Sequence, residues 1–329
     1  NHCLRLCCAS LLIPPHNAFF VYILPGSVVF CLLALGWVRV ATTVGALFII
    51  IILSFLMALT MWMAHRVRLT SGDYAGIISF IAFWLAFEYI CLNADILTPW
   101  LNLGNGLAKE PALIQWYEVT GVGGGTLWIL TSNIIMAIFI VQWLQKRKGN
   151  AGYLILWLMV IMIPSALSIS RFNNIKTSND TEYEIVIIQP NYDPYKEKFA
   201  IPFEIQLRRV LDLTKSAVTD RTCWILTPES TVDDPVNEGH TGENKYIRMI
   251  REKMSYYPGA AFMTGMISYR DTRSDPGIAV PARGPDKTKL LFTEHYNSAF
   301  NIDTGTHMAI YHKSKLVPGI ELQFQSFAG

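Results

Sequence analysis

Five apolar runs crowd the first half of this chain, each close to the roughly 20 residues that a helix rising about 1.5 Å per residue needs to cross the hydrocarbon core of a bilayer. They are 19–38, 44–64, 74–92, 122–144 and 153–169. Charges gather at their ends, and Glu88 in the third run is the one ionisable carboxylate inside them. A soluble all-helical core is therefore a poor alternative, and membrane-spanning helices are expected. Pro25 and Gly26 are expected to kink the first span. The chain as a whole is 52% hydrophobic and 16% charged, but the excess is local, because charged residues return after Ser170 as in a soluble domain. The fold class read from this division is a multi-span α-helical membrane domain over 1–170, a polar linker over 171–182, and an α/β domain over 183–329.

Orientation follows from the basic ends. His65-Arg66-Val67-Arg68 closes the second run and Lys146-Arg147-Lys148 separates the fourth from the fifth, and such clusters stay on the cytoplasmic side. The fifth span then delivers everything after Ser170 to the opposite face, the periplasm if the membrane is a bacterial inner membrane. A net charge of +2, with no basic stripe interleaved with aromatics, argues against a nucleic-acid partner. The six cysteines are Cys3, Cys7, Cys8, Cys31, Cys91 and Cys223. None has Cys or His partners at metal-ligand spacing, so neither a metal site nor a disulfide framework is expected. A lone Cys223 suits an extracytoplasmic domain. The chain starts at Asn1 and stops at Phe327-Ala328-Gly329, and a fragment at both ends is expected.

Two membrane features remain open. The segment 93–121 carries Trp100 and Trp116, read first as interfacial anchors and second as a lipid contact. Glu88 is costly in a bilayer unless it is paired or faces water, so structural pairing and function weigh equally there.

The soluble half alternates strands and amphipathic helices. Strands are expected at 184–189, 223–226 and 260–265, helices at 202–218 and 243–256, and a strand pair within 290–310. Glu229 follows the second strand in Thr227-Pro228-Glu229-Ser230, and Lys313 follows an apolar strand in Tyr311-His312-Lys313-Ser314-Lys315-Leu316-Val317-Pro318. A polar group at a strand end is held rigidly enough for chemistry, but by position alone a loop residue or helix cap is the commoner reading.

Taken in order, Gln189-Pro190-Asn191, Pro228-Glu229, Thr264-Gly265, Tyr296-Asn297-Ser298-Ala299 and the run Tyr311 to Gly319 resemble the nitrilase superfamily. Preceded by membrane spans, and with Tyr311, Lys313, Leu316-Val317-Pro318 and Glu321 matching one recurring pattern, the chain resembles that superfamily's bacterial apolipoprotein N-acyltransferase branch. The resemblance implies a four-layer αββα sandwich and a Glu, Lys, Cys triad that moves an acyl chain from a membrane phospholipid, through a Cys thioester, to the N-terminal amine of a diacylglyceryl-Cys apolipoprotein. It places Glu229 as general base, Lys313 as oxyanion stabiliser and Glu321 as an auxiliary carboxylate, with Phe199 and Asn297 as substrate-binding residues. The implied partners are the phospholipid donor, the apolipoprotein acceptor and the membrane. No cofactor is implied, and a monomer is favoured.

The departures carry equal information. The family's nucleophilic Cys comes after the Lys, yet no cysteine follows Lys313. Cys223 precedes Glu229 inside a strand and is read as a core residue. The chain is therefore expected to be incomplete at its C-terminus and inactive as written. Phe199 stands where many members have Trp, and Gly319-Ile320-Glu321 replaces the commoner Pro-Phe-Gly-Glu. Two alternatives stay in view. One is a membrane-tethered nitrilase-type amidase that uses the same Glu229 and Lys313. The other is a transport or receptor bundle with a binding domain, in which those two residues would lie apart.

Overall fold

The computed structural model describes residues 19–94, 97–146, 149–175, 183–193, 196–198, 200–229, 231–273, 291–303 and 308–314. The chain divides into two compact units, the first holding the apolar helices and the second the sheet. Glu321, Phe199, Arg147, Lys148, Cys3, Cys7 and Cys8 lie outside the described residues.

In the first unit the apolar runs form α1 (Phe19–Leu35), α2 (Thr43–Ser71), α3 (Asp73–Asn93), α4 (Tyr117–Lys146) and α5 (Ala151–Asn173), with a 3₁₀ turn, Gly36–Val40, extending α1. All five are long and apolar enough to cross a membrane. Pro25 lies inside α1 and Pro164 inside α5. Their apolar surface is not confined to one stripe. Leu53 and Ala58 are fully buried between helices, while Leu33 is 84% and Val44 79% exposed. In water such exposure would be costly, whereas beside lipid tails it costs nothing. Helix ends are capped locally: Thr42 Oγ1 accepts from the Gly45 amide and Asn150 Oδ1 from the Gly152 amide. Between α2 and α3 the chain reverses at Gly72, whose φ of +92° suits glycine alone. Arg68 and Asp73 pair across that turn at 3.7 Å.

Glu88 organises the connection between α3 and α4. Its Oε1 accepts from the Trp84 indole at 3.0 Å and from the Leu103 amide at 2.9 Å, and its Oε2 accepts from the Thr126 hydroxyl at 2.6 Å. Thr126 Oγ1 in turn accepts from the Gly104 amide at 3.0 Å, and Tyr117 Oη donates to the Gly104 carbonyl. The second of the three short 3₁₀ turns between Pro99 and Leu113, Leu103–Leu107, is thus tied to α3 and α4 through one buried carboxylate. The approach is close enough that a Cβ on Gly104 would sit 2.2 Å from the Val122 carbonyl oxygen. The structure gives Glu88 the pairing that a membrane carboxylate requires. Trp100, 39% exposed, lies edge-tilted against Trp37.

The second unit contains β1 (Glu184–Ile187), α6 (Phe203–Ala217), β2 (Thr222–Leu226), β3 (Val232–Asn237), α7 (Lys245–Met254), β4 (Ala261–Arg273), β5 (Leu291–Ile302) and β6 (Met308–His312). They make one mixed sheet in the order β1-β2-β4-β5-β6, with β3 also paired to β4. The first four strands run parallel; helical crossovers join β1 to β2 and β3 to β4, as parallel neighbours need, and β2 continues into β3 through a short break. Strand β5 is antiparallel to β4 and to β6, so β6 runs the same way as β1, β2 and β4. Both helices lie on one face of the sheet, where Leu207, Val210, Ile247, Ile250 and Met254 close over Ile225, Phe262, Met266, Phe300 and Ile302. Each such side chain contributes roughly 1.5–3 kcal/mol on burial. The opposite face also carries apolar side chains, with Ile187 73% and Tyr311 65% exposed. The observed architecture is therefore a bundle of apolar helices followed by an α/β domain. Of the four implied layers, the described residues show one helix layer and one sheet.

Three details differ from the sequence reading. Strand β3 was not anticipated, β4 runs on to Arg273, and Cys223 is half-buried near the start of β2 with its thiol directed at the Arg221 carbonyl, not part of the core.

If Glu88 is the anchor of the 103–107 turn, Glu88→Ala leaves the Trp84, Leu103 and Thr126 donors without their acceptor and is expected to destabilise the helical unit by about 2 kcal/mol or more. Glu88→Gln, which keeps an acceptor oxygen, should cost less. Detergent-solubilised melting curves check the ranking, and equal stability of Ala and wild type would show that the carboxylate is not structural.

Candidate active site

The site is built where strands end. A polypeptide leaving β2 must break from the ladder before it rejoins β4 as β3, because Leu226 sits opposite Met263 and Val232 opposite Met266. The five residues 227–231 occupy that gap, and the Thr227 amide still donates to the Met263 carbonyl at 3.0 Å. Glu229 stands at the crest of this break, with its side chain 58% exposed. On the far side of the sheet β6 ends at His312, and the Lys313 amide donates to the Asn297 carbonyl at 2.8 Å, which holds the first residue after β6 against β5.

These placements bring the sequence-selected residues together. Lys313 Nζ donates to Glu229 Oε1 at 2.9 Å across 84 positions of sequence, and Asn297 Nδ2 donates to the same oxygen at 2.6 Å. The two donors converge from adjacent strands, so the carboxylate is held in one direction. The order β2-β4-β5-β6 separates Glu229 from Lys313 by three strand spacings, roughly 14 Å at about 4.8 Å each. A long side chain on one partner and a raised loop on the other are what such a span requires. Lysine supplies the first, and the 227–231 break supplies the second.

Beside Glu229 opens a cleft of about 220 Å³ lined by Gln189, Asn191, Tyr192, Lys198, Gln206 and Pro228 among others. It lies at the carboxyl ends of β1 and β2, the edge where open α/β sheets present ligand sites. Asn191 turns the chain out of β1 with φ of +55°, a left-handed conformation that asparagine tolerates better than most side chains. Gln206 Nε2 donates to the Lys198 carbonyl at 2.6 Å and the Ile201 carbonyl at 2.8 Å, fastening the turn before α6 to that helix. The ring of Tyr192 lies under the Arg209 guanidinium at 4.9 Å. Sequence reasoning had singled out Gln189-Pro190-Asn191 as a motif but missed Tyr192, Lys198 and Gln206. The one available signal was the placement of a Pro-, Asn- and Tyr-rich loop directly after an apolar strand. Among the described residues no group of His, Cys, Asp and Glu is arranged to hold a metal ion.

An exposed carboxylate with an ammonium and an amide donor at the mouth of a cleft can take a proton from an acid brought to it, and can present positive charge to a developing oxyanion. Residues 4–135 of the chain match the family model described as the apolipoprotein N-acyltransferase N-terminal domain. The chain is also similar to a protein of Chlorobaculum tepidum named apolipoprotein N-acyltransferase, at 26% identity over 297 residues, which is 88% of this chain and 53% of the relative. A match of that extent is too long to be confined to the first unit, so it reaches into the sheet domain. The chain spans about half the length of this curated N-acyltransferase.

Because Lys313 is 31% and Glu229 58% exposed, their ion pair adds little to stability, and Lys313→Ala is expected to change the unfolding free energy by less than about 1 kcal/mol. Denaturant titration of the variant checks this. A loss several times larger would mark the pair as a fold determinant and weaken its assignment to chemistry.

Proposed function

We propose that the chain serves lipoprotein maturation, as an apolipoprotein N-acyltransferase whose sheet domain carries the general base and the oxyanion donor. The observation that carries this reading is the convergence of Lys313 and Asn297 on one oxygen of Glu229 beside the cleft. A binding module would not need its ammonium and carboxylate to meet across four strands, and an arrangement of this kind costs side-chain entropy that contact with a substrate would repay.

In the proposed chemistry a thiol loses its proton to Glu229, and the thiolate attacks the ester carbonyl of a phospholipid acyl chain. The carbonyl oxygen gains negative charge, which the Lys313 ammonium stabilises. The C–O bond breaks, and the lysophospholipid leaves with the proton returned from Glu229. The α-amine of the diacylglyceryl-cysteine acceptor then attacks the thioester, the C–S bond breaks, and the amide product and the regenerated thiol complete the cycle. Dividing one transfer into two steps lowers each barrier, and each step uses the same base and the same oxyanion donor. Asn297 orients Glu229, and Glu321 and Phe199 are assigned to the auxiliary carboxylate and the acyl pocket by resemblance. Cys223 does not suit the nucleophile. It lies near the start of β2, whereas Glu229 follows the carboxyl end of that strand, and its thiol is directed at the Arg221 carbonyl at 3.6 Å. Glu229 and Lys313 are the base and the oxyanion donor that this chain supplies to that cycle. The basic ends of α2 and α4 support a reading in which the sheet domain faces the periplasm from the inner membrane.

The deciding experiment extends the reading frame past Gly329 and supplies the protein, in phospholipid vesicles, with a diacylated lipopeptide. A product heavier by one acyl chain at its N-terminal amine is expected. Both Glu229→Ala and Lys313→Ala should lower turnover by about 10²-fold or more. Hydrolysis of small amides without acyl transfer would instead identify an amidase, and unchanged transfer in either variant would remove that residue from the mechanism.

A further inference from the structure

Lys313 is a flexible side chain on a weak support. It follows β6, a strand of five residues that lies at the end of the described sheet order and pairs on one side with β5. Short edge strands fray, and a lysine with four rotatable side-chain bonds loses its aim when its backbone moves. Yet its ammonium must be held to within a fraction of an ångström to stabilise charge on a reacting oxygen. The Lys313 amide bond to the Asn297 carbonyl holds that end from one side only, and a further anchor is needed to fix it.

The opposite face of the same strands supplies it. Side chains alternate across a sheet, so Asn297 and Lys313 point to the Glu229 side while Ser298 and His312 point to the helix side. There a second carboxylate, Glu238, is 3% exposed. Its Oε1 accepts from Ser268 Oγ at 2.8 Å and lies 2.6 Å from His312 Nε2, and its Oε2 accepts from the Arg270 guanidinium at 2.8 Å. Ser268 Oγ is also within 2.7 Å of Ser298 Oγ. The His312 ring stacks on Tyr296, with centroids 3.8 Å apart and planes within 5°. One buried carboxylate, carried by the segment that follows β3, thereby ties β4 to the last residue of β6. Burial raises the Glu238 carboxyl pKa, but the hydrogen bonds from Ser268, His312 and Arg270 together hold it below the ordinary carboxylate range. A carboxylate only accepts, so His312 Nε2 carries the proton in this contact.

We propose that Glu238 and His312 are positioning residues for Lys313: their contact, braced by the Tyr296 stack, fixes the end of β6 so that the Lys313 ammonium meets Glu229 on the other face of the sheet. The importance of this device rests on the assignment of Lys313 to charge stabilisation, but the geometry can be tested without turnover.

The test reads the accessibility of the Lys313 amine in the intact chain in detergent, by limiting acylation with acetic anhydride and mass spectrometry. Labelling is expressed relative to Lys215, which is exposed on α6. The comparison that decides is His312→Asn against His312→Gln. Asparagine is one methylene too short to bring its amide donor to the position of Nε2, whereas glutamine reaches it. We expect His312→Asn to raise Lys313 labelling about three- to fivefold, the range that release of a partly exposed ion pair permits, and His312→Gln to restore the wild-type value. Arg270→Ala, which removes the partner on the other oxygen of Glu238, should leave labelling near wild type. Equal labelling in the Asn and Gln variants, or an equal rise in Arg270→Ala, would overturn the inference. Glu229→Gln serves as the reference for a broken pair. If it raises labelling while His312→Asn does not, the positioning role alone falls. If it has no effect, the Lys313–Glu229 pair itself is absent, and the functional reading falls with it.

Discussion

The direction of β6 is the constraint on which the site depends. Lys313 meets Glu229 because β5 reverses the chain after β4 and β6 reverses it again, which brings the carboxyl end of β6 to the same edge of the sheet as the carboxyl end of β2. A parallel β5 would send Lys313 to the other end of the sheet, and no side chain could then close the gap. Local chemistry completes what topology begins. The ladder is interrupted between Leu226 and Val232, so Glu229 rises from the sheet surface instead of lying within it, and Asn297 on the intervening β5 donates to the same carboxylate oxygen as the ammonium.

Two carboxylates divide two tasks at this end of the sheet, and their surroundings set the division. Glu238 is buried, fully engaged with Ser268, His312 and Arg270, and suited to holding strands together. Glu229 is exposed at a cleft, where its proton can be exchanged with a substrate. The alternation of side chains lets consecutive residues serve both, with His312 and Ser298 on one face and Lys313 and Asn297 on the other. A third carboxylate, Glu88, shows the same logic in the helical unit, where the absence of water makes complete donor coverage obligatory.

The sequence was most legible where hydrophobic pattern alone decides structure. The five apolar runs became five helices because no other conformation satisfies the backbone in a bilayer, and the amphipathic spacing of Leu207, Val210, Ile247 and Ile250 selected the faces of α6 and α7. The run 184–189 reads as a buried strand, and β1 forms there, but its burial is one-sided: Ile188 is buried whereas Ile185 and Ile187 are exposed. Strand β3 was hidden by its own residues. Asp233-Asp234-Pro235 is a poor strand sequence, and it is accommodated because the register shifts between Val232 and Val236, so that no regular ladder is required of it. The partners of Glu88 were equally hidden, since the Leu103 amide and the Thr126 hydroxyl carry no sequence signal that they will converge.

The same distinction separates the two parts of the site. Glu229 and Lys313 were visible because each ends an apolar strand in a recognisable word. Glu238 was not, because it follows a strand that the pattern conceals, and its role exists only through contacts with residues 30 and 74 positions away. A motif marks the groups that chemistry needs at one place. The contacts that aim those groups are spread across strands, and any side chain of the right length and charge can make them. For this reason His312, adjacent in sequence to Lys313, reads as an unremarked neighbour in the motif but becomes, once the sheet is formed, the residue on the opposite face that holds the end of the strand.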